Sequence, residues 1–164
     1  MGEQFSVRLE KAVHVFAAGH FITLTDDLCE PVHGHNWRVA VEWSGTPDRH
    51  GMVVDFIWLR DRLAAVLARL DHRMLLATGN PLLPVATATG PLGGAEVTVR
   101  FANRRWVFPA EECALLPVAN TTAEWLARWI GGELLATAPA RPERLSVAVD
   151  ECLDQWGTWT WTPD

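Results

Sequence analysis

Cys29-Glu30-Pro31-Val32-His33-Gly34-His35-Asn36-Trp37-Arg38-Val39-Ala40-Val41-Glu42-Trp43 changes character at His33. From Asn36 on, Trp37, Val39, Val41 and Trp43 alternate with Asn36, Arg38, Ala40 and Glu42, the period of a strand with one apolar face. His33 and His35 lie in phase with that face. Residues i and i+2 of a strand project to the same side, so both imidazoles can reach one ion, and Gly34 lets another group approach the backbone closely. His20 lies thirteen residues before His33, in a chain with six histidines and three cysteines. On a neighbouring strand it would complete three imidazoles, the ligand set of a Zn²⁺ site that keeps one position open. Cys29 would either be a fourth ligand closing the site, or a free thiol whose pKa the nearby positive charge lowers. Ordinary sheet histidines beside a buried thiol are the plain alternative.

Working outward, Phe5, Val7, Leu9, Val13 and Val15 share one parity, which predicts a strand with that face buried, running toward His20. Asp55 suits a helix N-cap, and Phe56, Leu59, Leu63, Val66, Leu67 and Leu70 mark one helical face up to Asp71-His72. Thr121-x-x-Glu124 has the capping-box pattern of a second helix with Leu126, Trp129, Ile130 and Leu134 inward, and Gly131-Gly132 weakens its middle. Leu145, Val147 and Val149 predict another strand with Glu151 next in phase, and Thr158 to Thr162 a last one. Between the helices, Glu96 to Phe101 and Arg105 to Phe108 predict a hairpin turning at Ala102-Asn103-Arg104. The order predicts one α+β domain over residues 1–164: an antiparallel four-stranded sheet, two helices on one face, and a hairpin insertion over about 77–119. Uncovered sheet edges predict closure against other copies in a ring-like homo-oligomer.

Composition narrows the partners. A length of 164 residues and 49% hydrophobic content suffice for a core, and a net charge of −6 without a basic cluster argues against nucleic-acid or anionic-membrane surfaces. Apolar runs are too short for a membrane span, and Met1-Gly2-Glu3-Gln4-Phe5 lacks signal-peptide features, so a cytoplasmic location is expected. An odd cysteine count agrees. Nine Trp with no Tyr supply large apolar area for packing and subunit contacts.

Six ordered blocks carry a family resemblance: Phe16-Ala17-Ala18-Gly19-His20, Cys29-x-x-x-His33-Gly34-His35-Asn36, Gly51-Met52-Val53-Val54-Asp55-Phe56, Leu70-Asp71-His72, Thr122-Ala123-Glu124 and Val149-Asp150-Glu151. In this order the chain resembles the 6-pyruvoyltetrahydropterin synthase and 6-carboxytetrahydropterin synthase family. The resemblance implies the tunnelling T-fold, in which three subunits close a β-barrel and two trimers stack. It implies zinc held by His20, His33 and His35, Cys29 as general base with Asp71 and His72 as its proton relay, Glu151 anchoring the pterin ring, and Thr122 helping to hold it.

Cys29 as base needs a pKa near the operating pH. Asp71 can hold and polarise His72, although a solvated helix end is the plain reading of that pair. On an apolar face the Glu151 carboxylate needs paired donors, which a pterin's guanidine-like edge has.

The resemblance further implies a zinc lyase that converts 7,8-dihydroneopterin triphosphate to 6-carboxy-5,6,7,8-tetrahydropterin with loss of acetaldehyde and triphosphate, an early step toward queuosine. Its rivals are 6-pyruvoyltetrahydropterin formation, cleavage to 6-hydroxymethyl-7,8-dihydropterin for folate, and a non-catalytic zinc and pterin binder. Residues 77–119 exceed the usual link between the helices, and Trp125 replaces the common Asn. Glu30 is the other departure, since part of the family uses a Glu here in place of the Cys to cleave the side chain. Extended neighbours point to opposite faces, and Pro31 favours an extended Glu30. Cys29 is therefore expected to face the zinc, with Glu30 turned aside or bridging to a neighbouring subunit, and 6-carboxytetrahydropterin to be the dominant product.

Overall fold

The computed structural model describes residues 3–163, so Met1-Gly2 of the N-terminal stretch lie outside the described residues. The predicted strand through the His-x-His is β2, His33–Ser44, and its odd residues Trp37, Val39, Val41 and Trp43 are all buried. Around it the chain builds β1 (Ser6–His20), α1 (Phe56–Leu67), β3 (Arg73–Ala77), β4 (Val85–Thr89), β5 (Ala95–Phe101), β6 (Arg104–Pro109), β7 (Cys113–Leu116), α2 (Ala123–Ala136), β8 (Arg144–Cys152) and β9 (Gln155–Trp161). The class is α+β as expected, but the sheet is not four-stranded. Six strands pair in the order β7-β3-β1-β2-β8-β9, and β4-β5-β6 form a separate three-stranded sheet. The two additional strands, β3 and β7, are short and parallel to their neighbours, with Ala18 opposite Arg73 and Met74 opposite Cys113. They stand before and after the β4–β6 sheet, so the insertion grows out of the main sheet instead of hanging from a loop.

Asp55 caps α1 as read, its carboxylate accepting from the Ile57 N–H at 2.8 Å. Leu59, Leu63, Val66 and Leu67 are buried and Phe56 is not. The capping box at α2 does not form. Thr122, not Thr121, is the N-cap and makes no side-chain capping bond, and the Thr121 hydroxyl is turned toward the end of β1, where it donates to the Phe21 carbonyl. Both helices cover one sheet face, where Leu126, Ile130 and Leu134 meet Val147 and Val149 in the main core.

The first strand departs from its predicted parity. Glu10 pairs with Ala40 and the next register position is Val15 with Arg38, so five steps along β1 match two along β2, a bulge of three residues. Val13 and Val15 are exposed and Phe16 is fully buried. The bulge reverses which residues face the core. Leu9 is inward before it and Phe16, Ala18 and His20 after it. That reversal puts His20 on the face of His33 and His35.

Gly131 and Gly132 have different uses. A Cβ at Gly131 would lie 2.3 Å from the Trp159 ring, whereas one at Gly132 would meet nothing within 4 Å. Gly131 is therefore a packing requirement for β9, and only Gly132 weakens the helix. Urea unfolding of Gly131→Ala should show a loss of about 1–3 kcal/mol from overpacking, and Gly132→Ala a gain of up to about 1 kcal/mol from helix propensity. Equal signs for the two would refute this division.

Candidate functional site

β1 and β2 place His20 opposite His33 and Ala18 opposite His35, so the three imidazoles meet where the strands end. β8 contributes Glu151 from a register irregularity between Asp150 and Cys152, the kind of bulge that re-aims a side chain. One ligand atom from each of His20, His33, His35 and Glu151 lies within 4.8 Å of the others. His20 Nε2 is 3.1 Å from His33 Nε2 and 3.2 Å from Glu151 Oε1, and His35 Nε2 is 3.6 Å from the same oxygen.

The hydrogen bonds behind the imidazoles fix which nitrogen faces inward. His20 Nδ1 is 3.0 Å from the Thr121 carbonyl, and His33 Nδ1 is 2.9 Å from the Pro31 carbonyl. A carbonyl only accepts, so each Nδ1 carries its proton, which leaves Nε2 as the atom of each ring that can offer a lone pair to an ion. Burial pushes the pKa of His20 down to about 4 despite the Thr121 bond, which disfavours a proton as the bridge. His35 Nε2 is buried without a hydrogen-bond partner. Converging lone pairs with an orphaned third nitrogen fit a cation, and 3.1 Å is close to the edge of about 3.3 Å for a tetrahedron with Zn–N bonds. Thr121 is a residue the sequence reading missed, since its pattern pointed to a helix cap.

Cys29 and Glu30 are arranged opposite to expectation. The thiol is 4% exposed in a second apolar cluster with Phe21, Leu76, Val97, Val99 and Phe101, outside the group of possible metal ligands. Burial pushes its pKa up, and the Arg104 guanidinium beside it acts in the other direction. Glu30 turns inward, with Oε2 4.0 Å from His33 Nε2. The premise held, in that the two neighbours point to different sides, but the choice between them is reversed. The insertion provides the apolar pocket that receives the thiol.

Asp71 and His72 pair as read, with His72 Nδ1 3.0 Å from Asp71 Oδ2. Asp71 Oδ1 accepts from the Ala17 N–H at 2.8 Å, and this bond, with the imidazole, holds the carboxyl below its ordinary pKa. The structure does not bring the pair to the imidazoles. His72 is largely exposed, with φ of 55°, and borders an open cleft of about 500 Å³ floored by Ala17, Gly19, Gly34 and Asn36. Those four are the alternate residues of β1 and β2, whose other face carries the His20 and His33 side chains, and His35 also borders the cleft. Thr122 is half-buried at the start of α2, with its hydroxyl free of a capping bond.

A sheet rim that gathers three imidazoles and a carboxylate on an α+β fold is a site that could hold a metal ion. The 6-pyruvoyl tetrahydropterin synthase family profile matches residues 9–160, and the chain belongs to that family. It is an enzyme, a lyase of the tetrahydropterin synthase type. A Pyrococcus abyssi protein provisionally named 6-carboxy-5,6,7,8-tetrahydropterin synthase is 28% identical over 137 residues, 83% of this chain and 79% of that protein. The Plasmodium falciparum 6-pyruvoyl tetrahydropterin synthase structure superposes with a TM-score of 0.87 at 21% identity, covering 99% of this chain and 100% of that one. A Plasmodium vivax 6-pyruvoyltetrahydropterin synthase, in which a glutamate described as a catalytic residue is replaced by cysteine, gives a TM-score of 0.86 at 21% identity, covering 99% and 100%. These two likenesses establish the fold, insertion included.

Proposed function

We propose that this chain is a zinc-dependent lyase converting 7,8-dihydroneopterin triphosphate and water to 6-carboxy-5,6,7,8-tetrahydropterin, with release of acetaldehyde and triphosphate, for 7-deazaguanine (queuosine) synthesis. The observation that carries the reading is the convergence of His20, His33 and His35 Nε2 at a strand end, beside Glu151 and the Cys29–Glu30 segment. The product follows the names of the archaeal relatives. Zinc, when held by the three imidazoles, supplies a Lewis acid that orients the substrate's side-chain oxygens and stabilises charge developing on them.

The chain's own groups do the rest. Glu151, with about a third of its side chain exposed, offers paired acceptors to the amino and ring N–H donors of a pterin, and the uncommitted Thr122 hydroxyl adds a polar contact. Cys29 takes the side-chain proton, with Arg104 offsetting part of the burial that raises its pKa. Asp71 keeps His72 oriented as the onward proton carrier. Because the pair and the imidazoles open on opposite sheet faces, the relay at each site comes from a neighbouring copy. The unpaired edges β7 and β9 are where copies join. A net charge of −6 does not suit a nucleic-acid partner, and among the described residues no helix is long and apolar enough to cross a membrane.

One observation favours a second reading. Glu30, not Cys29, faces His33, and a carboxylate there suits cleavage to 6-hydroxymethyl-7,8-dihydropterin. Mass spectrometry of products from 7,8-dihydroneopterin triphosphate decides between them. Dominant 6-carboxy-5,6,7,8-tetrahydropterin sustains the first reading, dominant 6-hydroxymethyl-7,8-dihydropterin the second, and neither refutes both.

A further inference from the structure

The segment between β1 and β2 is held mainly by the insertion. Within it, Thr23 bridges to Cys29, and the Glu30 N–H donates to the Ile22 carbonyl at 2.9 Å. Asn80, just after β3, donates to the Thr23 hydroxyl at 3.0 Å, and Asn120, just after β7, to the Thr23 carbonyl at 2.9 Å. The remaining hold comes from β6. The Arg104 guanidinium donates to the Cys29 carbonyl at 2.7 Å and reaches the Glu30 carbonyl at 3.5 Å. It lies 5.2 Å from the ring centres of both Phe101 and Trp106, and Trp106 in turn stacks on Phe21 at 4.6 Å.

Carbonyls of consecutive extended residues point in opposite directions. One planar fork can reach both only if the chain turns between them. Fixing those two carbonyls fixes the peptide plane between Cys29 and Glu30, and with it the directions of both side chains. The stacking rings hold the guanidinium in its plane.

We propose that Arg104 is a positioning residue for the reaction, a clamp supplied by the inserted sheet that sets the directions of Cys29 and Glu30 relative to the imidazole cluster. The inference rests on the reading above, in that the Cys29–Glu30 segment supplies the proton acceptor, and it holds whichever of the two acts. It also gives residues 77–119 a role, namely to hold the segment that carries the acceptor.

The test uses the zinc-loaded 164-residue chain as Arg104→Gln and Arg104→Lys, with the exposed Arg105→Gln as control. Hydrogen exchange reports the clamp directly. The Glu30 amide should exchange at least about tenfold faster in Arg104→Gln, as expected when a charge-assisted hydrogen bond stops opposing local opening. Arg104→Lys, which keeps one charged donor without the fork, should fall between it and the parent. Steady-state kinetics should show kcat reduced about tenfold or more with KM changed less than about twofold, the mark of lost acceptor geometry. Arg105→Gln should match the parent in both measurements. Unchanged exchange or unchanged kcat in Arg104→Gln overturns the proposal, and if that variant does not fold, the same criteria apply to Arg104→Lys. A parent without turnover on dihydroneopterin triphosphate would instead defeat the functional reading, and the exchange data would still decide the clamp.

Discussion

His33→Ala and His35→Ala proteins will purify with near-zero zinc, where the parent is expected to carry about one per chain, because losing one imidazole takes a ligand from an open three-histidine site. His33 is the cleaner site, since its side chain is 37% exposed and truncation leaves no large core cavity. His20 is fully buried against Thr121 and Trp37, so His20→Ala confounds metal loss with damage to the fold. Apo-protein should also unfold at lower temperature than zinc-loaded protein, by the linkage that makes any native-state ligand a stabiliser. Elemental analysis and calorimetry check both expectations. Parent-like zinc content in His33→Ala would remove the basis of the site.

The second large effect separates the two acceptors. Cys29→Ala should retain zinc while formation of 6-carboxy-5,6,7,8-tetrahydropterin falls by about a hundred- to ten-thousandfold, the range for a lost general base. Glu30→Ala should leave that product within about tenfold of the parent and abolish any 6-hydroxymethyl-7,8-dihydropterin by the same factor. Loss of zinc in Cys29→Ala would make the thiol a ligand, contrary to its place in the second apolar cluster. A collapse of all turnover in Glu30→Ala, with Cys29→Ala active, would assign proton transfer to the carboxylate that the structure turns toward His33.

The strand through His33 and the strand ending in Glu151 were legible because their alternation is local and uninterrupted. The α1 cap was legible for the same reason. β3 and β7 were not, since strands of five and four residues show too few alternations to stand out, and their parallel partners are set by the fold. Thr121 illustrates a local signal overruled by tertiary structure. Its spacing from Glu124 suits a capping box, but its hydroxyl and carbonyl are drawn to Phe21 and His20. The direction of Cys29 depends on Arg104, 75 residues along the chain, and periodicity carries no trace of such a contact. The bulge in β1 was hidden because Lys11-Ala12-Val13-His14 contains no Gly or Pro to mark it.

That bulge ties the metal site to the arithmetic of strand length. Its three surplus residues are an odd number, and an odd offset is what exchanges the two faces of a strand. Deleting one residue between Glu10 and Val15 would leave an even surplus and rotate His20 to the far side of the sheet, emptying the site without altering a ligand. Deleting two would restore the face. Tolerance to length change here should therefore alternate with parity, so that zinc content counts residues at a distance.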